Sequence, residues 1–307
     1  MCDLAGVSRA GYYRSLGEVA PQEADMAVQA AIQEVVLAHR RRYGYRRVTV
    51  ELHRRGMVIN HKRVLRIMRE DNLLAIRYRK FMVTTDSRHE CRVYVNLASR
   101  MTLTGINQLW VADITYIRLR TEFVYLAVVI DRYSRKTIGW SLDRTLAARI
   151  AVTALQRAIA VRQPPPGVVI HDDQGVQFAS SEFQEVVQSH QMIPSMSRPG
   201  NPYDNAFCES FMKTLKQEEI YCNQYTDFED LSAHLEEFID QYYNRLRLHS
   251  ALGYRTPEEF ERAAARSAVS MPTDAAAVVT YFKGPTLSGP ADSIVGNSGQ
   301  GLPVPRP

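Results

Sequence analysis

Residues 108–142, QLWVADITYIRLRTEFVYLAVVIDRYSRKTIGWSL, decide the fold. Gln108 to Leu119, Phe123 to Tyr133 and Lys136 to Leu142 are three runs rich in Val, Ile, Tyr and Trp, separated by gaps short enough for hairpins. They predict an antiparallel meander. The period then changes: Leu146, Ile150, Val152, Leu155 and Ile159 recur at helical spacing until Pro164-Pro165-Pro166-Gly167 stops them. Val168 to His171 reads as a short apolar strand suited to a buried central position, followed by a helix over Ser181 to Ser189 and a strand over Ile193 to Met196. Three strands, helix, strand, helix, strand, helix is the order of a mixed α/β sheet with helices on its faces.

Three acidic residues stand where such a sheet makes them expensive or useful. Asp113 lies inside the first strand, on the face shared by Val111 and Thr115, and a charge there needs a cation, a hydrogen-bond network or a metal. Asp173 closes the fourth strand, and Glu209 follows after 35 intervening residues. The three can meet at one end of the sheet. Carboxylate oxygens without cysteine or a histidine pair suit hard Mg²⁺ or Mn²⁺, with water and substrate phosphate completing the shell.

Glu209 belongs to SRPGNPYDNAFCESFMKTLK, residues 197–216. Arg198-Pro199-Gly200 is turn chemistry, Asn201 a helix cap and Pro202 a first helical residue, with Asp204 three residues after the cap. Phe207, Phe211 and Leu215 then form one face, while Asn205, Glu209, Lys213 and Lys216 form another. Lys213 and Lys216, at i+4 and i+7 from Glu209, can meet phosphates, lie as a solvated face, or, for Lys213, pair with Glu209. Asn205 can cap the helix or touch DNA, and His171, at the strand end, is either a packed structural residue or a substrate contact. The helix expected over Phe228 to Leu246 shows ordinary core spacing at Leu231, Leu235, Phe238 and Tyr242.

Upstream, a helix starting near Pro21 carries Ala27, Ala31, Ile32, Val35 and Val36, and ends in the basic run His39 to Arg42. Tyr43-Gly44-Tyr45 punctuates the chain. Helices over Arg47 to Arg54 and His61 to Glu70 follow, joined by a turn at Gly56; the second has Val64, Ile67 and Met68 on one face and Lys62, Arg63, Arg66 and Arg69 on the other. That is a helix-turn-helix-like unit whose basic face can neutralise DNA phosphates. The first fourteen residues read as a short helix-turn, with Gly6 as break and Ser8 as cap. Residues 75–106 read as a linker holding a short extended piece near Val93 to Leu97. The domains are therefore expected at 1–80 (basic, helical), 81–106 (linker), 107–262 (α/β core with its C-terminal helix) and 263–307 (disordered tail rich in Ala, Ser, Gly and Pro).

Composition agrees with a folded, non-exported protein. In 307 residues, 45% are hydrophobic and 23% charged, no run approaches the roughly 18 apolar residues of a membrane span, and no signal-peptide pattern opens the chain. A cytoplasmic location is expected. Cys2, Cys91, Cys208 and Cys222 show no zinc spacing. The net charge of +5 is uneven: residues 1–106 hold 19 Lys/Arg against 10 Asp/Glu, the remainder 19 against 23. The basic first third suits an anionic partner, most simply nucleic acid.

Four motifs carry a resemblance. WVADITYI at 110–117, HDDQG at 171–175, SRPGNPYDNAFCES at 197–210 and YYNRLRLHSALGYRTPEEF at 242–260 resemble the integrase core of bacterial insertion-sequence transposases, the B-frame product of a two-frame family related to retroviral integrases. Residues 43–74 are similar to the helical domain preceding that core. The resemblance implies an RNase H-like fold and an Asp-Asp-Glu triad at Asp113, Asp173 and Glu209, holding two Mg²⁺ (or Mn²⁺) ions for metal-dependent DNA strand cleavage and strand transfer at element ends. It further implies double-stranded DNA as partner, with Lys62, Arg63, Arg66, Lys213 and Lys216 against it and His171 and Asn205 in support, a homo-oligomer on DNA, and an upstream-frame product or fusion; no membrane is involved. Where the family has His-Ser-Asp, this chain has His171-Asp172-Asp173; Asp173 keeps the Asp-x-Gly phrase and the spacing to Glu209, while an extended Asp172 points to the other face. Two other readings are an RNase H-like nuclease without strand transfer and a non-catalytic DNA-binding regulator or decayed element copy.

Overall fold

The computed structural model describes Ser8 and residues 23–75, 94–198 and 205–270. The helix-turn expected over the first fourteen residues, apart from Ser8, lies outside them, as do Asn201, Pro202 and Asp204. So does the expected tail beyond residue 270.

Three helices open the described chain: α1 (Glu23–Ala38), α2 (Tyr45–Arg54) and α3 (His61–Glu70). Gly56, at φ +83°, makes the turn between α2 and α3 in a conformation that costs a residue with a Cβ. The Asn60 side chain caps α3 by accepting from the Lys62 amide at 2.9 Å. Val28, Ile32, Val35, Val36, Val48, Leu52, Val64, Ile67 and Met68 are buried together, so the apolar stripes face inward except at Ala27, which is exposed while its neighbour Val28 takes the core position.

The sheet has five strands, β1 (Leu109–Arg118), β2 (Phe123–Asp131), β3 (Thr137–Asp143), β4 (Val169–Asp172) and β5 (Ile193–Met196), in the order β3-β2-β1-β4-β5. The first three pair antiparallel as a meander, while β4 and β5 run parallel to β1. This is the mixed, helix-flanked sheet expected from the sequence. Between the strands come α4 (Ala148–Arg162) and α5 (Ser181–Ser189); after them follow α6 (Ala206–Leu215), α7 (Phe228–Glu236) and α8 (Pro257–Ser270).

Alternation along the strands separates two cores. Trp110, Ala112, Ala127, Val129 and Ile170 pack with α4 and α5 residues such as Ala154, Leu155, Phe183 and Val187. A Cβ on Gly139 would lie 2.3 Å from the Ala154 carbonyl oxygen, so glycine is what allows α4 to approach β3. Val111, Ile117, Leu126 and Val128 belong to the opposite core, with Cys208, Phe211 and Leu215 of α6, Leu235 of α7 and the three N-terminal helices.

Several expected boundaries change. Residues 94–97 form no strand; Leu97 donates its amide to Ser195 Oγ at 2.9 Å and a single 3-10 turn, Ala98–Arg100, follows. The segment is tied to β5 by a side chain instead of a ladder. The helix expected over Phe228 to Leu246 widens into π-helix at Glu237–Leu246. Consecutive Tyr242, Tyr243 and Asn244 are all buried there, which the narrow apolar stripe of an α-helix does not allow. Asn244 uses the wider turn to accept from the Thr137 amide at 3.0 Å and donate to its carbonyl at 2.9 Å, closing the start of β3. α6 likewise continues as π-helix over Lys216–Ile220. α8 runs on past residue 262, where the sequence reading ends the core.

Candidate active site

β1 presents Asp113 on the same face as Val111, and its parallel register with β4 sets Val111 beside His171. Two residues further on each strand, Asp113 comes level with Asp173. Asp113 is partly buried and, among the described residues, accepts a hydrogen bond only from the Ile114 amide, at 2.9 Å. Burial first, then the negative charges of Asp173 and Glu209, push its pKa up to about 8, against a smaller opposing pull from Lys216. The three carboxylates therefore lie within electrostatic reach of one another. Among the described residues, no three His, Cys, Asp or Glu side chains are close enough together to hold an ion as they stand.

Asp173 sits just beyond β4, half-buried, and accepts from the Gly175 amide at 3.1 Å. Asp172 is 1% exposed and neither of its carboxylate oxygens has a hydrogen-bond partner. Burial, followed by the charge of Asp173, raises it well above the usual carboxylate range. Asp172 alternates with His171 on β4 and so shares its face with Ile170, in the α4 and α5 core.

α6 brings up Glu209 in its first turn. The helix begins at Ala206 with Asn205 as its N-cap, four residues later than the Asn201 expected. Asn205 is buried, its side chain makes no capping bond, and its Oδ1 has no partner. Glu209 and Lys213 are both exposed and form no ion pair with each other, which removes the pairing considered from their spacing. Lys216 lies differently: its ammonium is 5.1 Å from the centre of the Tyr116 ring on β1, and Asp113 pulls on its charge. Burial is the larger influence and lowers its pKa.

His171 is fully buried, its Nδ1 2.9 Å from Ser195 Oγ and its Nε2 3.1 Å from Ser197 Oγ. It joins β4 to β5, the packed role. Lys62 and Arg66 are exposed on α3 and Arg63 half-buried, with Arg66 paired to Glu70 at 3.1 Å.

The sequence reading missed two groups. Glu218 and Glu219, in the π-turn after α6, meet Arg42, Arg47 and Arg247, all drawn from segments treated there as helix face or generic packing. In the β2–β3 hairpin, Arg132 and Arg135 both stack on Phe207 of α6. Only the charge of the YSRK turn hinted at the second group.

Three family models match the chain: an HTH-like domain over residues 23–81, and two integrase core domain models over 104–202 and 190–257. The chain is 37% identical over 270 residues to the transposase InsF for insertion sequence IS3A of Escherichia coli (strain K12), covering 85% of this chain and 92% of that one. It is 33% identical over 264 residues to the insertion element IS600 uncharacterized 31 kDa protein of Shigella sonnei, covering 85% and 97%. Its structure overlaps the HTLV-2 integrase catalytic core domain in complex with magnesium at a TM-score of 0.39 and 20% identity, over 51% of this chain and 97% of that one.

Proposed function

This chain belongs to the IS3 family of integrase-core transposases, and on that premise we propose that Asp113, Asp173 and Glu209 are its three catalytic carboxylates. The protein is a DDE-class transposase that cleaves and transfers DNA strands, built from an integrase core and an HTH-like region. The observation that carries the residue assignment is Asp113: a carboxyl on a core strand, under the negative charge of two others, with no ion-paired cation. An all-oxygen anionic set of this kind fits a hard divalent ion, Mg²⁺ or Mn²⁺, which Asp113, Asp173 and Glu209 would hold. When bound, two such ions supply Lewis-acid stabilisation of the attacking and leaving oxygens of an in-line displacement.

The chain's own groups do the remaining work. β1 and the end of β4 hold Asp113 and Asp173 on rigid elements, and α6 delivers Glu209. Lys216, braced over Tyr116, and Lys213, one turn earlier, hold phosphate oxygens of the bound strand. No covalent protein intermediate is needed: water attacks at the element end, and the 3′-hydroxyl so released attacks a second phosphodiester.

Residues 1–80, with Lys62, Arg63 and Arg66 on α3, grip duplex DNA, residues 81–106 link them to the core over 107–262, and the tail follows once α8 has carried the chain to residue 270. The protein acts as a homo-oligomer on DNA, together with an upstream-frame product, in the cytoplasm. Among the described residues no helix is long and apolar enough to cross a membrane.

The test is strand transfer from a pre-cleaved duplex with a free 3′-hydroxyl, in Mg²⁺. E209Q, D113N and D173N are each expected to lose at least about 100-fold in cleavage and joining while still binding DNA. Full activity in any one of them overturns that residue's assignment, and hydrolysis without joining by the unaltered protein points to a nuclease.

A further inference from the structure

The hairpin between β2 and β3 holds two arginines that have no ion-paired acid among the described residues. The Arg132 guanidinium lies 4.5 Å, and that of Arg135 4.9 Å, from the centre of the Phe207 ring. Among the described residues neither side chain forms an ion pair or a hydrogen bond. Burial lowers both pKa values; Arg135 lowers Arg132 further against a smaller pull from Cys208, while at Arg135 the pull of Tyr243 opposes the push of Arg247. Two like charges on one ring with no acid beside them is an arrangement an arriving anion relieves.

The backbone adds an independent observation. Arg135 has φ +62°, in the left-handed region where a Cβ is strained and glycine is the default. A long cationic side chain is kept where the turn alone favours none, which is the kind of strain that accumulates at ligand-binding sites.

Placement supplies the ligand. Phe207 stands two residues before Glu209 on α6, and the Arg132 amide bonds the Leu109 carbonyl at 3.0 Å, at the start of the strand that carries Asp113. Arg132 also borders a cavity of about 260 Å³ lined by Ala98, Met101, Leu103, Leu109 and Tyr133, which leaves room beside it. We propose that Arg132 and Arg135, braced on Phe207, bind a phosphodiester of DNA that runs along α6 past the three carboxylates. Stacking fixes the plane of each guanidinium and leaves its N–H edge free for bidentate contact with phosphate oxygens. This rests on the proposed triad only for the location of the DNA path.

The test is binding of a short labelled duplex of arbitrary sequence, in EDTA, over a range of salt. Each lost phosphate contact flattens the plot of log affinity against log salt by about 1. R132A/R135G is expected to flatten it by about 1 to 2, and R132K/R135K to restore most of it. An unchanged slope, with or without a lower melting temperature, makes the two arginines a brace for α6 and overturns the proposal. R135G alone guards against misfolding, because glycine accepts that φ. In strand transfer, a raised KM for the donor end or for the target duplex with little change in kcat supports the site and says which DNA lies there; a fall in kcat alone opposes it. E209Q should lose cleavage but keep the wild-type salt slope, so failure of the triad and failure of this site give different results. Salt-independent binding by the unaltered protein would sink the DNA reading itself.

Discussion

One continuous helical segment carries two charged clusters that are handled in opposite ways. Beside Glu209, the charges of Asp173 and Glu209 press on Asp113, and among the described residues neither Asp113 nor Glu209 has an ion-paired cation. Two to three turns later, every carboxylate is answered: Glu218 accepts from Arg247 at 2.9 Å and from Arg47 at 3.1 Å, and Glu219 bonds Arg42, Asn223 and Tyr225. Burial alone would raise Glu218, but Arg247 and then Arg47 hold it below the usual carboxylate range. The second cluster is complete within the chain and joins the N-terminal helices to the core; the first leaves Asp113 and Glu209 without an ion-paired cation among the described residues. A buried ionic group that closes on itself is architecture, and one left open points to a ligand.

The largest effect should come from opening the closed cluster. E218A leaves the Arg247 guanidinium, 7% exposed, without its bidentate partner. Breaking a buried pair from one side costs about 3–5 kcal/mol, whereas replacing both members by apolar groups can be nearly neutral. Denaturant titration should therefore show E218A strongly destabilised and E218L/R247L much less so. Equal losses in the two would mean that packing, not charge, holds the junction.

The same operation on the open cluster should have the reverse sign. In metal-free protein, D113N replaces a carboxyl that folding forces toward its protonated form beside two other carboxylates, and should raise stability near neutral pH by about 1–2 kcal/mol. Wild type should gain thermal stability on adding Mg²⁺, as binding to the folded state requires, and D113N should gain little. Destabilisation by D113N without metal would show that the carboxylate is a structural hydrogen-bonding group and would merge the two clusters into one kind.

The sequence made one of these clusters legible and hid the other. Asp113 stood out because a charge broke an apolar strand whose alternation was plain, and Asp173 because it ended a fully apolar one. Glu209 became readable through its spacing to them. The closed cluster gave no such contrast. Arg42, Arg47, Glu218 and Arg247 sit in polar surroundings in sequence and become buried only because α2, the π-turn after α6 and the segment after α7 converge, which is tertiary information. The π-turns escaped for a similar reason: Tyr242, Tyr243 and Asn244 break the helical stripe because they face different partners. Asn205 as the cap of α6 escaped the sequence because its side chain makes no capping bond, so its residue type carries no signal there.

Acid should separate the clusters next. His39, stacked 3.8 Å from Tyr43, is pushed down to about 4 by burial, then by Arg55, Arg42 and Arg47; His249 is pushed down to about 2 by burial, then by Arg247 and Arg47. Below the ordinary histidine pKa of about 6.5, the unfolded chain takes up protons that the fold refuses. The stability this neutrality confers is complete above that pH and falls as pH drops toward 4 and lower. Glu218 has the same sign, its contribution fading below about pH 4.3. Melting temperature should thus decline from about pH 6.5 downward, less steeply in H39Q. A decline that H39Q leaves unaltered would place the acid sensitivity outside this junction.

The smallest effect tests which aspartate of the HDDQG turn belongs to the open cluster. Asp172 and Asp173 are neighbours in sequence, yet the carboxylates that chiefly press on Asp113 are Asp173 and Glu209. Asp172 faces the α4 and α5 core with both oxygens unbonded, so its carboxyl contributes desolvation cost and no ligand. Replacing it by a short side chain removes a group worth about 1–3 kcal/mol of unmet hydrogen bonding, offset in part by the space left behind. D172S should therefore gain about 1 kcal/mol or less in a denaturant titration and keep near-wild-type cleavage, while D173S loses cleavage. If D172S loses cleavage and D173S keeps it, the two aspartates exchange roles, β4 delivers its ligand from the opposite face, and the open cluster must be redrawn around Asp172.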